Sequence, residues 1–329
     1  MQIVVTAGIP AKNWLSARQK RNEDFIRFER GELLVVDWSA EPVVARTIDY
    51  VSPAEQRHPA VLFKGGEVRD DCLNIVTNSE IVVYDRATLE VVQTVTHPHF
   101  TDLHGVLQVG NEYWVANTGL EVVQRVDRSG KILAEHNMAE TPTWERFDRD
   151  TDYRFVGSTK PHTVHVNHVF VIDGEFFATR FKQRDAVSLS DPARRFAVDV
   201  GNPHDGVVRG GRVYFTTTNG HVLVFAADTR ELIKCLDVNE ILERSGFMAG
   251  GWCRGVCPLA DGNVIIGFTK LRDSKFKEYG AWIKNLGRGR KSAPSRLVEI
   301  DLEREAAVRE LAYPNGLGAA VFSVLGFQD

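Results

Sequence analysis

Histidines recur at one kind of position along this chain. Several short apolar segments end in a turn built on Gly, Asn or Asp and begin with a polar side chain that can do chemistry. The residues at or beside these segment starts are His58, His104, His165, Asn167, His204, Asp205 and Arg254. Four of the ten histidines belong to this set, so the pattern predicts one histidine-rich site rather than scattered structural histidines.

The histidines predict a metal site or an acid–base site. Neutral imidazoles are common metal ligands, and three of them with an open coordination position make a catalytic centre for zinc or iron. We therefore predict His104, His165 and His204 as ligands or catalytic groups, with His58 as a further ligand. Without a metal, a histidine acts as general acid or base near neutral pH.

Substrate binding is assigned to the neighbouring polar side chains. Arg254, also predicted to be catalytic, offers a planar fork that suits a carboxylate, phosphate or sulfate. Asn167 can donate and accept, and Trp252 stands where it could wall the site. Asp205 is also assigned to substrate binding, and Asp102 or Asp205 could orient a ligating imidazole from the side away from the metal.

Structural roles for the same residues stay open. Arg254 could close a salt bridge with Asp205, and Trp252 could pack in the core. Cys253, beside Arg254, is a further option as a nucleophile because a nearby cation favours the thiolate.

The elements that position these residues repeat along the chain. Cys72–Gln93, Tyr113–Leu133 and Val213–Lys234 align as strand, turn, strand, polar turn, strand. With the apolar segment ahead of each unit, four strands recur roughly every 40 to 50 residues, which is typical of a propeller blade. We predict an all-β, six-bladed β-propeller; the alternatives are seven blades or a pair of β-sandwiches.

Five blades and a closing blade account for most of the chain. The five are predicted at about 58–95, 102–135, 165–200, 204–238 and 254–311. The closing blade combines strands from both termini, namely Gly318–Leu325, Gln2–Ala7, Glu32–Asp37 and Pro42–Tyr50. Such closure leaves no long exposed edge strand. Inner strands line a propeller's central channel, so their first residues should meet at its mouth.

Three segments do not fit the blades of this predicted single domain, 1–329. They are insertions at about 12–31, 138–161 and 272–293, and the last is strongly basic. They are either loops on the faces of the disc or lids over the axial cavity.

Composition argues against several classes of partner. The net charge is −4 and the pI is about 6.2, which offers no basic field for nucleic acid or anionic membrane. No apolar run approaches the roughly 20 residues of a membrane span. The first residues lack the pattern of a signal peptide, so we expect a cytoplasmic protein with four reduced cysteines.

Short motifs at the blade starts resemble those of an uncharacterised bacterial propeller family. The motifs are FTDLHG (Phe100–Gly105), HVNH (His165–His168), NPHD (Asn202–Asp205) and CRG (Cys253–Gly255). The resemblance spans about residues 100–270 and implies site residues His104, His165, Asn167, His204 and Arg254. More distantly, the organisation is similar to streptogramin lyase and to gluconolactonase-like propellers, which hold a divalent metal or a catalytic histidine at the mouth. The carboxylate–asparagine ligands of the gluconolactonase-like enzymes are absent here.

These patterns predict an enzyme acting on a small polar, anionic or sugar-like molecule. The reaction would be that of a metal-dependent lyase, hydrolase or isomerase. One alternative is a non-catalytic propeller that binds a ligand or a protein through its loops. A second alternative is a redox enzyme with histidine-ligated iron.

Overall fold

The chain folds as six sheets around a central axis. The computed structural model describes residues 1–10, 28–53, 61–270, 293–314 and 317–328. Within these ranges the strands form six four-stranded antiparallel sheets, and the innermost strands of successive sheets contact one another in a closed ring. The predicted six-bladed β-propeller is confirmed, and the alternative of seven blades is wrong.

Each blade is a meander from the inner strand to the outer strand. Blade one contains β24 (Ala320–Gln328), β1 (Gln2–Pro10), β2 (Phe28–Asp37) and β3 (Val43–Tyr50). Blade two contains β4 (Gly66–Val68), β5 (Cys72–Val76), β6 (Glu80–Asp85) and β7 (Val91–Thr96). Blade three contains β8 (Leu103–Val109), β9 (Glu112–Asn117), β10 (Val122–Asp127) and β11 (Ile132–Asn137).

The remaining blades follow the same order. Blade four contains β12 (Val166–Ile172), β13 (Glu175–Arg180), β14 (Asp185–Ser188) and β15 (Arg195–Ala197). Blade five contains β16 (Pro203–Arg209), β17 (Arg212–Thr217), β18 (His221–Ala226) and β19 (Leu232–Asp237). Blade six contains β20 (Trp252–Pro258), β21 (Val264–Thr269), β22 (Arg296–Asp301) and β23 (Ala306–Ala312).

Helices are short and lie between blades. Helix α1 (Thr143–Arg146) and a 3₁₀-helix (Tyr153–Phe155) occupy the segment 138–161, between blades three and four. Helix α2 (Val238–Arg244) follows blade five and is N-capped by the carboxylate of Asp237. None of the helices in the described ranges is both long and apolar enough to cross a lipid bilayer.

The apolar core is divided into wedges between neighbouring blades. Each of the six blade pairs encloses one buried apolar cluster. Because successive side chains of a strand point to opposite faces, Ile3 and Val5 pack toward blade six while Val4 packs toward blade two. Both faces of the middle strands are therefore apolar, and the inner strands are left to carry the polar residues around the axis.

Blade one closes the ring with strands from both termini, as predicted. Strand β24 pairs with β1, and β1 pairs with β2. The indole of Trp38 donates to the buried Glu299 carboxylate of blade six at 2.7 Å. Arg309 contacts the same carboxylate at 2.8 Å. Polar contacts therefore add to the apolar cluster between blades one and six.

Two predicted boundaries need correction. Strand β1 ends at Pro10, and strand β2 begins at Phe28. Residues 28–31 therefore belong to a strand and not to the predicted insertion 12–31. The opposed pair Gly8 and Gly31 hides this continuation in the sequence, because glycine has low strand propensity. In blade two the inner strand is only Gly66–Val68, although Lys64 already bonds to β5 through its backbone N–H.

Some sequence-based predictions lie outside the described residues. They concern His58, residues 12–27 and residues 272–292. A role for His58 as a ligand and a role for the basic segment as a lid therefore stay predictions.

Candidate functional site

Bulges at the start of the inner strands position the predicted residues. In β8 the pairing shifts around His104, and in β12 it shifts around Asn167. In β16 and β20 the shift comes just after Asp205 and Arg254, respectively. A bulge adds one residue to a strand and re-aims its side chain, which explains why these polar groups sit at equivalent places around the axis.

A compact group of possible metal ligands lies where blades three and four meet. One ligand atom from each of Asp102, His162 and His165 lies within 4.8 Å of the others. Asp102 and His165 stand at equivalent positions, each two residues before its bulge, and both have left-handed backbone (φ +52° and +60°). Asp and His adopt this backbone more readily than most residues, and it also occurs at turn residues elsewhere in the described chain, such as Leu89 and Arg230.

Hydrogen bonds fix the tautomers of the two histidines. The Thr159 hydroxyl donates to the Gly119 carbonyl at 2.7 Å, so at 3.2 Å it accepts from Nε2–H of His162. The Nδ1 atom of His162 then carries the lone pair and accepts from Nδ1–H of His165 at 3.1 Å. A divalent ion in place of this shared proton would meet two nitrogen lone pairs.

Glu121 holds the segment that carries these histidines. Its carboxylate, 1% exposed, accepts from the backbone N–H of Val164 and, at 3.2 Å, of His165. It also accepts from the Thr163 hydroxyl at 2.9 Å and pairs with Arg146. Burial opposes ionisation, yet these donors keep the pKa of Glu121 below its ordinary value. The carboxylate thus fixes the turn just before β12.

Lys64 of blade two pairs with Asp102 across the mouth. The lysine is almost fully buried, and its ammonium donates to the Asp102 carboxylate. Burial works against an ionised Asp102, but Lys64 and the nearby imidazoles hold the pKa of this carboxyl well below its ordinary value. Asp102 is therefore a carboxylate at neutral pH.

The histidines of this wall are neutral at pH 7. Burial lowers the pKa of His165 to about 3 and lowers the pKa of His162 as well. Burial and the charge of Lys64 take the pKa of His104 far below its ordinary value. His104 donates from Nδ1 to the Asp102 carbonyl at 2.7 Å, so its Nε2 atom keeps a lone pair.

A second wall is formed by blades four, five and six. The Asn167 amide donates to the Pro203 carbonyl at 3.0 Å and contacts Nδ1 of His204 at 3.3 Å. The Phe181 ring lies between the two walls, 5.2 Å from the His165 ring and 5.5 Å from the His204 ring, centroid to centroid.

Aromatic rings flank the guanidinium of Arg254. Its Cζ atom lies 5.0 Å from the centroid of the Trp252 ring and 4.3 Å from that of Phe322, distances typical of cation–π contact. Phe322 is the bulged residue of β24, so blade one also contributes a side chain to the mouth. Asp205 accepts from the Thr216 hydroxyl at 2.5 Å and from the Gly255 N–H at 3.1 Å, rather than pairing with Arg254.

Comparisons with known proteins identify the fold of this chain but no family. No protein-family model matches this chain, and no curated protein matches it either. Among solved structures 1301 chains match. One of them, from the crystal structure of a nidogen–laminin complex, has a TM-score of 0.56 at 10% identity, covering 99% of this chain and 98% of that chain.

This likeness shows a β-propeller. No comparison supports the resemblance of the blade-start motifs to an uncharacterised bacterial family, or the more distant similarity to streptogramin lyase and gluconolactonase-like enzymes. Because one fold hosts many functions, the function has to be argued from the side chains at the mouth.

The structure changes the set of candidate ligands. Of the three predicted histidines, His165 belongs to the group with ligand distances, whereas His104 and His204 lie outside it. His104 still touches that group, with its ring centroid 4.9 Å from that of His165. His204 instead joins Asn167 on the second wall.

Several residues of the site escaped the sequence analysis. His162 lies in a loop without strand periodicity, although its spacing to His165 (His-x-x-His) is a usable signal. Lys64 lies just before the short inner strand of blade two, and Phe322 lies in β24, whose sequence contains no histidine. Cys253 is fully buried, and burial raises the pKa of its thiol, which argues against a nucleophile.

Asp205 gives an expected pH dependence of stability. Burial raises its pKa from 3.8 to about 6, so between these values the folded protein binds more protons than the unfolded chain. Stability should therefore fall as pH rises from about 4 to about 6, by about 3 kcal/mol from this group. Asp205→Asn should remove this slope in urea unfolding measured across the range. Parallel pH curves for the two proteins would contradict the assignment.

Proposed function

We propose that the mouth of this propeller binds one divalent transition-metal ion through Asp102, His162 and His165. We further propose that the protein is an enzyme that acts there on a small polar or anionic molecule. The observation that supports this is the convergence of three ligand atoms within 4.8 Å, two of them imidazole Nδ1 atoms 3.1 Å apart.

The donor set suits zinc or iron. Two neutral imidazoles and an ionised carboxylate are borderline ligands, and a spacing of 3.1 Å lets one ion lie about 2.0–2.1 Å from both nitrogens. Three protein ligands leave coordination positions open, as in catalytic sites and unlike closed structural ones. Asp102, at 31% side-chain exposure, keeps the group in contact with solvent.

The residues around the proposed metal ligands are placed for proton transfer and for substrate binding. A bound ion would supply a Lewis acid that polarises a carbonyl or activates water. His104, with a lone pair on Nε2, is placed to accept a proton beside it. Arg254, Asn167 and His204 on the second wall are placed to orient the substrate, and Trp252 supports Arg254. Lyase, hydrolase and isomerase chemistry all fit these roles.

Metal titration of defined variants tests the proposal. Protein produced without a histidine tag and stripped of metal should bind one equivalent of Zn²⁺ in calorimetry. His162→Ala should weaken binding by about 100-fold or more, since even partners behind the ligands contribute 10–100-fold. His221→Ala is the matched control, because His221 lies on β18 beside Asp237, away from the mouth. Equal affinities for all three proteins, or no binding by the wild type, would reject the site.

Iron chemistry is the second candidate. Two histidines and one carboxylate with open positions form the ligand set of non-haem iron(II) oxygenases. Under this alternative, anaerobic Fe²⁺ should bind at the same residues and its absorption should change when oxygen is admitted. Zinc-dependent turnover without such a change would favour the hydrolytic reading.

A further inference from the structure

Asn167 carries a buried acceptor that lacks a donor. Its side chain is 3% exposed, and its amide nitrogen is held by the Pro203 carbonyl. Among the described residues, the Oδ1 atom has no hydrogen-bond partner. Leaving a buried carbonyl oxygen unbonded is unfavourable, so this atom requires a donor, which is either an ordered water or the O–H or N–H of a ligand.

His204 presents a donor beside this acceptor. Pro203 orients the Asn167 amide so that Nδ2 faces Nδ1 of His204, and that ring nitrogen must accept. Burial, together with the charge of Arg254, keeps the pKa of His204 far below its ordinary value, so the ring is neutral. A neutral imidazole that accepts at Nδ1 carries its proton at Nε2. The second wall therefore offers an imidazole N–H donor on His204 and, on the neighbouring Asn167, an acceptor oxygen without a partner among the described residues.

Arg254 extends this wall with a positive charge. The rings of Trp252 and Phe322 lie against its guanidinium. A guanidinium binds the two oxygens of a carboxylate through its N–H groups.

The charges around the mouth favour an anion. Burial lowers the pKa of Lys64, and the positive charges of Lys160 and Arg254 lower it further, so basic side chains lie close together in this region. Asp102 bonds to Lys64, and Asp205 is engaged with Thr216 and Gly255. A ligand ammonium would be repelled, so the donor that meets Asn167 should be a hydroxyl.

We infer that the mouth takes a small hydroxycarboxylate, with its carboxylate on Arg254 and His204 and its hydroxyl donating to Oδ1 of Asn167. Calling this molecule the substrate rests on the proposed function; its binding does not, because these three residues are not metal ligands.

Glycolate, acetate and inorganic phosphate are the probes that test this inference. Glycolate and acetate differ in the hydroxyl, and phosphate tests for a general anion site. In metal-free protein, ¹³C-glycolate should bind about tenfold more tightly than acetate by NMR titration, the effect of one hydrogen bond to a buried acceptor. Asn167→Ala should abolish this preference, and Arg254→Lys should weaken both acids by about tenfold.

Asn263→Ala is the control for loss of a partly buried amide, because Asn263 bonds Glu299 at 2.8 Å and follows the end of β20 opposite Arg254. It should keep the wild-type preference, and melting curves should show that each variant is folded. Equal binding of glycolate and acetate, or tighter binding of phosphate, would overturn the inference. So would glycolate binding that needs Zn²⁺ and survives Asn167→Ala. If the protein failed to bind Zn²⁺ but still preferred glycolate over acetate, the metal proposal would be rejected and this inference would stand.

Discussion

Lys64→Met should destabilise the metal-free protein and at the same time tighten its binding of Zn²⁺. Lys64 is buried and Asp102 is 31% exposed, so removing the lysine leaves a partly buried carboxylate without its counter-charge. We expect a loss of about 3 kcal/mol in the free energy of unfolding, the low end of the range for a broken buried pair. The same change removes a cation beside a proposed metal ligand. At an effective dielectric constant of 20, a unit charge about 4 Å away is worth about 4 kcal/mol, so affinity should rise by about 100-fold or more.

Zinc should restore the stability that this substitution removes. An ion at 100 times its dissociation constant contributes about 2.7 kcal/mol, which nearly offsets the expected loss. Urea unfolding with and without Zn²⁺, together with calorimetric titration, measures both effects. Lys234→Met is the control, since the Lys234 ammonium donates to the Leu302 carbonyl in another part of the ring. Weaker or unchanged Zn²⁺ binding in Lys64→Met would contradict Asp102 as a ligand.

Glu121→Gln should weaken both the fold and the metal site. The glutamine keeps one oxygen for the N–H groups of Val164 and His165 but leaves Arg146 without its partner. We expect a loss of about 3 kcal/mol or more in the free energy of unfolding, as for a broken buried pair. Zn²⁺ affinity should fall by about 10–100-fold, because the turn that sets His165 is released.

Comparison with Glu80→Gln separates the effect of Glu121 on stability from its effect on Zn²⁺ binding. Glu80 occupies the corresponding turn of blade two, is fully buried and accepts from Ser52 and Thr77. Burial raises the pKa of Glu80, unlike that of Glu121. Its replacement should lower stability by about 1 kcal/mol and leave Zn²⁺ affinity unchanged. If both variants lost stability and neither lost Zn²⁺ affinity, Glu121 would have a purely structural role.

The blades were predictable because their signals are local. A strand with apolar residues on both faces, a turn with Asn or Gly and another strand can be recognised within about 20 residues, as in Cys72–Gln93. Closure by both termini followed from counting the strands, because the strand predicted at Gly318–Leu325 had no other blade to join. The pairing of Gly8 with Gly31 could not be predicted, because it depends on a contact between strands that carries no side-chain pattern.

The site was predicted only in part, because it depends on contacts between blades. Alignment of the blade starts found His104, His165, Asn167, His204 and Arg254. It missed His162, whose place is set by Glu121 and the loop before β12. It also missed Lys64, which points at Asp102 from the neighbouring blade. Such contacts arise between residues far apart in sequence and leave no periodic signal.

Anomalous diffraction from crystals of the protein soaked in Zn²⁺ tests the central claim most directly. We expect a peak at the zinc edge about 2.0–2.2 Å from a carboxylate oxygen of Asp102 and from one ring nitrogen each of His162 and His165. No peak at the mouth, or a peak held by other side chains, would contradict the account.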